Sequence, residues 1–236
     1  MKTRIEEVVQ DIVSCFEEMA EIVLSQLTRL DKYMSGNSNI PLEKLKTEIA
    51  ENENKIDRLE VVISDKIINS IVLHQPVASD IRKLMSIYRI SINLERVGDR
   101  VMNILYSIEA IQETIEYKEM SAVVLNMLLS SKSMVEKSLI SFSNNDKDYA
   151  VWTIKNDEVV DDMNRKLLVN SISKAKVSKK TKEMLLSYAD LKNIITNIER
   201  IADHATNIAE ASIYSMQGTD IRHSWQNSEY PGDELI

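Results

Sequence analysis

The chain has 236 residues, 44% of them hydrophobic, and a formal net charge of −8. Such a length supports a core that removes roughly 70–75% of the unfolded chain's surface from water. The acidic balance excludes a protein held on nucleic acid by an overall positive field. Only 4 Gly and 3 Pro punctuate the sequence and aromatics make up 5%, too few turn formers and strand-favouring residues for a β architecture, so the expected class is all-α.

The opening MKTRIEEVVQ has no uninterrupted apolar stretch, and no later run reaches the ~18 apolar residues of a membrane span, so the chain reads as cytoplasmic and not exported. Apolar residues at three- and four-residue steps (Ile5, Val8, Val9, Ile12, Phe16, Met19, Val23, Leu27) predict a long amphipathic first helix. Within it Cys15, the single cysteine, has no partner for an internal disulfide and reads as a small core residue in a reducing compartment. Ser35 to Pro41 ends this helix, and Pro41 suits the first turn of a second, where a missing N–H costs nothing. The second helix is expected to reach about Leu73, and His74-Gln75-Pro76 marks the turn into a third carrying Ile81, Leu84, Met85, Tyr88, Ile92, Val97, Val101, Ile104 and Ile108. A fourth helix is expected from about Ser121 to Phe142. Ser143 to Asp146 supplies turn formers and an N-cap for a fifth, with Asp148 favouring its first turn. The lysine-rich stretch Ser173 to Lys182 precedes a sixth helix ending near Gly218.

The segment ERVGDRVMNI, Glu95 to Ile104, returns as ERIADHATNI, Glu199 to Ile208, at an offset of 104 positions. The same offset pairs Asn52-Glu53 with Asn156-Asp157 and Asp57 with Asp161, without a gap. Two distant blocks in one register argue for duplicated three-helix units, with repeats at 1–115 and 116–236, the second including the C-terminal tail.

Each unit carries two carboxylate pairs at i,i+4: Glu53 with Asp57 and Glu95 with Asp99, then Asp157 with Asp161 and Glu199 with Asp203. That spacing stacks both side chains on one helical face, about 5–6 Å apart at Cβ. At an effective dielectric of ~20 their repulsion is about 3 kcal/mol per pair before water screens it. If the two helices of a unit oppose their pairs, four carboxylates converge, and a cation, bound protons or open solvent must compensate. Acidic residues on a helix usually form a solvated face. Here, however, Glu95 and Glu199 sit among Leu94, Val97, Ile198 and Ile201, and a small residue, Gly98 or Ala202, precedes the second carboxylate of each motif. The neighbouring pair Glu158 and Asp162 maps onto Asn54 and Arg58, so only the Asp157 and Asp161 pair keeps its acidity in both copies. Oxygen donors in this number suit Mg²⁺, Mn²⁺, Ca²⁺ or iron, with zinc possible.

Asn103 and Asn207 extend the same row and offer an amide oxygen or a supporting hydrogen bond. Arg96 and Arg200 suit an ordinary salt bridge, or else a phosphate. His74, His204 and His223 read as surface or capping residues. No Glu-x-x-His pair, Gly-rich phosphate loop or HExxH is present, so catalytic residues are not expected. The basic run Lys174, Lys176, Lys179, Lys180 and Lys182 reads as a solvated loop.

LERVGDRVMNI and IERIADHATNIAEASIYSMQGTDIRH resemble the two signature blocks of the PhoU family, and NENKIDRLE and NDEVVDDMN resemble its companion blocks one helix earlier. The resemblance spans about residues 3 to 223, departing at Arg100, where a histidine is frequent, and at Lys55. It implies two tandem three-helix bundles related by an internal pseudo-twofold, with the eight carboxylates holding divalent or trivalent metal ions. It further implies a non-enzymatic regulator of phosphate uptake and phosphate-starvation signalling. Such a protein acts with a phosphate ABC-transporter ATPase and a phosphate-sensor histidine kinase, as a homodimer that meets the membrane only through its partners. Two other readings compete: a metal-dependent redox or hydrolytic enzyme on the same carboxylates, and a cytoplasmic domain of a sodium–phosphate cotransporter. Met1 and the lack of a membrane span weigh against the second.

Overall fold

The computed structural model describes residues 4–111, 115–174 and 181–222, in six helices and, among these residues, no strand. They are α1 (Arg4–Met34), α2 (Leu42–His74), α3 (Ala78–Ile111), α4 (Ile115–Asn144), α5 (Lys147–Lys174) and α6 (Thr181–Gln217). The all-α class and three helices per half agree with the periodicity.

Each boundary has a local cause. Past α1 the amides of Ser35, Gly36 and Asn37 turn back onto the carbonyls of Asp31, Tyr33 and Lys32, with Gly36 at φ 73°, where a side chain would be strained. Pro41 stands one residue before α2, and its carbonyl accepts the first helical bond, from the Leu45 amide, at 3.0 Å. The Asp146 carboxylate accepts from the amides of Asp148 and Tyr149 and so caps α5. Gly218, at φ 74°, closes α6. The fourth helix begins six residues before the expected Ser121, because Met120 is already buried in the core and the apolar stripe starts earlier. The lysine-rich connection lies largely outside the described residues, as does the tail from Ser224.

α1, α2 and α3 pack on one another, as do α4, α5 and α6, and the two bundles join along α3 and α6, the most extensive helix pair in the molecule. A second seam runs between α1 and α4, where Phe16 meets Phe142 edge to face with ring centroids 5.3 Å apart. One continuous apolar cluster reaches from Ile12 in α1 to Ala211 in α6. The repeats are therefore two bundles around one core. Cys15 lies at its edge and only part-buried, taking a hydrogen bond from the Lys66 ammonium at 3.5 Å, a more peripheral place than its apolar neighbours suggest.

A shared core predicts shared unfolding. Leu94, fully buried in α3, is a suitable probe: Leu94→Ala is expected to destabilise the whole chain by ~2–5 kcal/mol. In urea melts of a Trp225→Phe background, followed by far-ultraviolet dichroism and by the emission of Trp152 in α5, both transitions are expected to move together.

Candidate functional site

The structure gathers the eight carboxylates into two groups of four. In the first, Glu53 on α2 lies within electrostatic reach of Asp57, Glu95 and Asp99; in the second, Asp157 on α5 lies within reach of Asp161, Glu199 and Asp203. Close helix approach makes this possible. A Cβ on Gly98 would fall 2.6 Å from Glu53 Oε2, 3.2 Å from Gln26 Oε1 and 3.2 Å from Ile56 Cδ1, so the missing side chain is what admits α1 and α2 against α3. Its counterpart Ala202 is buried at the matching place in α6.

The environment disfavours charge on these groups. Burial is the main reason that the Glu53 carboxyl is pushed up to about 7; a hydrogen bond from Gln26 opposes the shift, and the charges of Asp99, Asp57 and Glu95 add to it. The matching residue Asp157 is pushed up to about 6, again first by burial and then by Asp203 and Asp161, with the Thr206 hydroxyl opposing. Glu95 and Asp161 are raised as well, each by burial first and next by the aspartate of the signature block in its bundle, Asp99 and Asp203 respectively.

At both centres a buried carboxylate oxygen forms no hydrogen bond, although the Thr206 hydroxyl near Asp157 is likewise unpaired. Glu53 Oε1 and Asp157 Oδ1 are orphaned, and so is Gln26 Oε1 beside Glu53. These atoms are acceptors, the complement of a hard cation or of an added proton. Among the described residues, no three Asp, Glu, His or Cys side chains are drawn together tightly enough to form a metal shell as they stand. Four like charges repel, and a cation drawn between them would supply the attraction needed to tighten the group.

Some residues of the candidate site escaped the pattern reading. Gln26, on α1, is fully buried and donates to the Ile49 carbonyl at 3.3 Å and to Glu53 Oε2 at 3.4 Å. Its position on the apolar stripe between Val23 and Leu30 was the available signal. Glu210 extends the second group: burial chiefly pushes its carboxyl up to about 7, Arg222 opposes, and the charges of Asp220 and Asp157 contribute. Tyr106 stands at the matching place of the first repeat.

The histidine expectation needs correction. His204 is no surface residue: it is 7% exposed and packs between α3 and α6, its Nδ1 3.1 Å from Asn93 Oδ1. Burial comes first, and Arg100, Arg96 and Arg200 follow, in holding its imidazole down to about 4. Asn207 donates to the same Asn93 oxygen at 3.2 Å, turned towards α3. Arg200 makes the ordinary salt bridge, 2.8 Å to Asp203.

Comparison with known proteins gives a consistent match. The PhoU domain matches twice, over residues 16–108 and 118–212. A phosphate-specific transport system accessory protein PhoU homolog from a Burkholderia species is 32% identical over 219 residues, 89% of this chain and 92% of the relative. PhoU homolog 1 of Thermotoga maritima is 26% identical over 214 residues, 88% of this chain and 91% of the relative. The crystal structure of PhoU from Pseudomonas aeruginosa superposes with a TM-score of 0.74 at 23% identity, covering 92% of this chain and all of that one. That of the phosphate transport system regulatory protein PhoU from Streptococcus pneumoniae gives 0.70 at 20% identity, covering 92% and 99%.

The raised carboxyls set a pH dependence. A folded-state pKa above the unfolded value of roughly 4 means that the folded chain holds the proton more tightly. That contribution is complete below the unfolded pKa and is lost as pH rises through about 6 at Asp157 and about 7 at Glu53. Chelator-treated protein is therefore expected to melt at a lower temperature at pH ~8 than at pH ~5.5 on account of these groups. Glu53→Gln combined with Asp157→Asn is expected to raise the melting temperature at the higher pH and narrow that gap in calorimetric scans.

Proposed function

The chain belongs to the PhoU family, and from that membership we propose that it is a non-catalytic, metal-binding accessory of phosphate-specific transport that restrains uptake and the starvation response. The observation that carries the metal-binding part is the repeated unbonded carboxylate oxygen: Glu53 Oε1 and Asp157 Oδ1 are orphaned at positions related by the internal repeat. Such a pair of buried acceptors, each among three further carboxylates, suits hard or borderline cations such as iron, manganese, magnesium or zinc.

On this reading Glu53, Asp57, Glu95 and Asp99 hold metal in the first bundle, and Asp157, Asp161, Glu199 and Asp203 in the second. Glu210 is placed to support the second group. The bound cation supplies charge compensation. The chain's own part is to fix the spacing of α2 against α3 and of α5 against α6, with Gln26 orienting Glu53 from α1. The partners on this reading are the transporter ATPase and a phosphate-sensing histidine kinase, contacted by the outer faces of the bundles, and the protein works as a homodimer in the cytoplasm. Among the described residues no helix is long and apolar enough to cross a membrane, which fits contact with the membrane through those partners.

Two measurements test this. Elemental analysis of protein purified without chelator is expected to show metal at two sites per chain, one lost on replacing Glu199 and Asp203 by Ala with the other retained. Metal content near zero, with no uptake of added Mn²⁺, Fe²⁺ or Zn²⁺, removes the metal centres from the proposal. In cells, deleting the gene is expected to leave a phosphate-starvation promoter active in phosphate-rich medium, and a plasmid copy to silence it. A reporter that stays low in the deletion strain, with phosphate uptake unchanged, refutes the regulatory role.

A further inference from the structure

The seam between α3 and α6 carries a second, oppositely charged group. Arg96 and Arg100 come from α3, and Arg200 and His204 stand at the matching repeat positions of α6. Asn93, Arg96 and Arg100 share one face of α3 at i, i+3 and i+7, Arg200, His204 and Asn207 share one of α6, and the contacts of Asn93 with His204 and Asn207 bring these two faces together. Only part of this positive charge is spoken for: Arg200 uses one N–H on Asp203, and a guanidinium has five.

The hydrogen bonds of Asn93 settle the ring's orientation. Its Nδ2 donates to the Arg89 carbonyl at 2.8 Å, so its Oδ1 is the atom turned towards α6. That oxygen accepts from Asn207 Nδ2 and from His204 Nδ1, which therefore carries the ring proton. His204 Nε2 is left as a lone-pair acceptor, buried, with no donor reaching it. Arg100 Nε, at the matching repeat position, is buried without an acceptor. The seam thus holds an unused acceptor and an unused cationic donor in residues related by the repeat.

We propose that the α3/α6 seam binds inorganic phosphate, its negative oxygens taken by the Arg96, Arg100 and Arg200 guanidiniums and its P–OH donated to His204 Nε2. A lone-pair acceptor among guanidiniums distinguishes a protonated oxyanion from sulfate, which has no proton to give at neutral pH and meets the nitrogen lone pair with another lone pair. Because α3 and α6 also carry Glu95, Asp99, Glu199 and Asp203, an anion drawn between them acts on the two helices that set both carboxylate groups. This deepens the regulatory reading and rests on it for its biological meaning, giving the accessory protein a direct contact with the solute whose uptake it restrains.

The test is a calorimetric titration of the full chain with inorganic phosphate at near-neutral pH and low salt, in the presence of EDTA, with sulfate as the comparison. Saturable binding at one site per chain is expected, with sulfate weaker. Arg100→Gln is expected to weaken phosphate by about tenfold or more, as loss of a charge-assisted contact does. His204→Ala is expected to reduce the preference over sulfate. Arg96→Gln, at an exposed position, is expected to weaken binding without altering the thermal melt, which separates a ligand contact from a folding defect. The inference is overturned by any of three results: no saturable binding, equal affinity for phosphate and sulfate, or binding unchanged in both arginine variants. It is also overturned if phosphate binds only with added metal and is lost in the Glu199→Ala, Asp203→Ala protein, since the anion then sits on the metal. These measurements use purified protein, so their failure leaves the starvation-reporter phenotype standing, and a silent reporter leaves a binding result intact.

Discussion

α3 and α6 each have to satisfy two interfaces at once, one with the other helices of their own bundle and one with each other. A helix in that position is apolar around much of its circumference. On α3 the buried residues Ile87, Ile90, Leu94, Val97, Val101, Ile104 and Ile108 form one stripe at three- and four-residue steps, and Leu84, Ser91, Gly98 and Leu105, seven positions apart, widen it on one side. What remains for polar side chains is a pair of narrow edges. Glu95 and Asp99 take the edge facing α2, and Arg96 and Arg100 fall towards α6, because neighbouring residues on a helix diverge by about 100°.

The sorting by sign follows from this packing. Carboxylates lie at the two flanks, where each signature helix meets its companion, and guanidiniums lie nearer the central seam. Each flank is half-buried, so its charges are only partly screened. The fold thereby makes Glu53 and Asp157 harder to ionise than a free carboxyl, chiefly through burial.

The two halves are related but not equal. Gly98 lets Glu53 and Gln26 approach the α3 backbone, whereas the second half has Ala202 at that place and gains Glu210 at the end of its group. Arg100 in one repeat faces the role played by His204 in the other, which makes the seam chemically asymmetric: a donor on one side, an acceptor on the other. Duplication followed by such substitutions leaves the helix geometry in place while changing the groups each centre presents.

Sequence by itself determined the helical class, the repeat and its register, and the eight carboxylates, because each is written in local spacing: periods of three and four for the helices, one constant offset for the duplication, i,i+4 for the acidic pairs. The end of α2 near Leu73 and the Asp146 cap were legible for the same reason, since a turn or cap depends on residues a few positions apart. Only the tertiary structure decided the rest. Whether Glu53 meets Asp99 depends on how α2 docks on α3, and whether Gln26 reaches Glu53 depends on a third helix 27 positions away. The burial of His204 depends on Asn93, 111 positions earlier and in the other bundle. Local spacing says which face a side chain occupies. What that face is pressed against is set by long-range packing, and packing determines desolvation, which is why the chemistry of these residues emerged only from the folded chain.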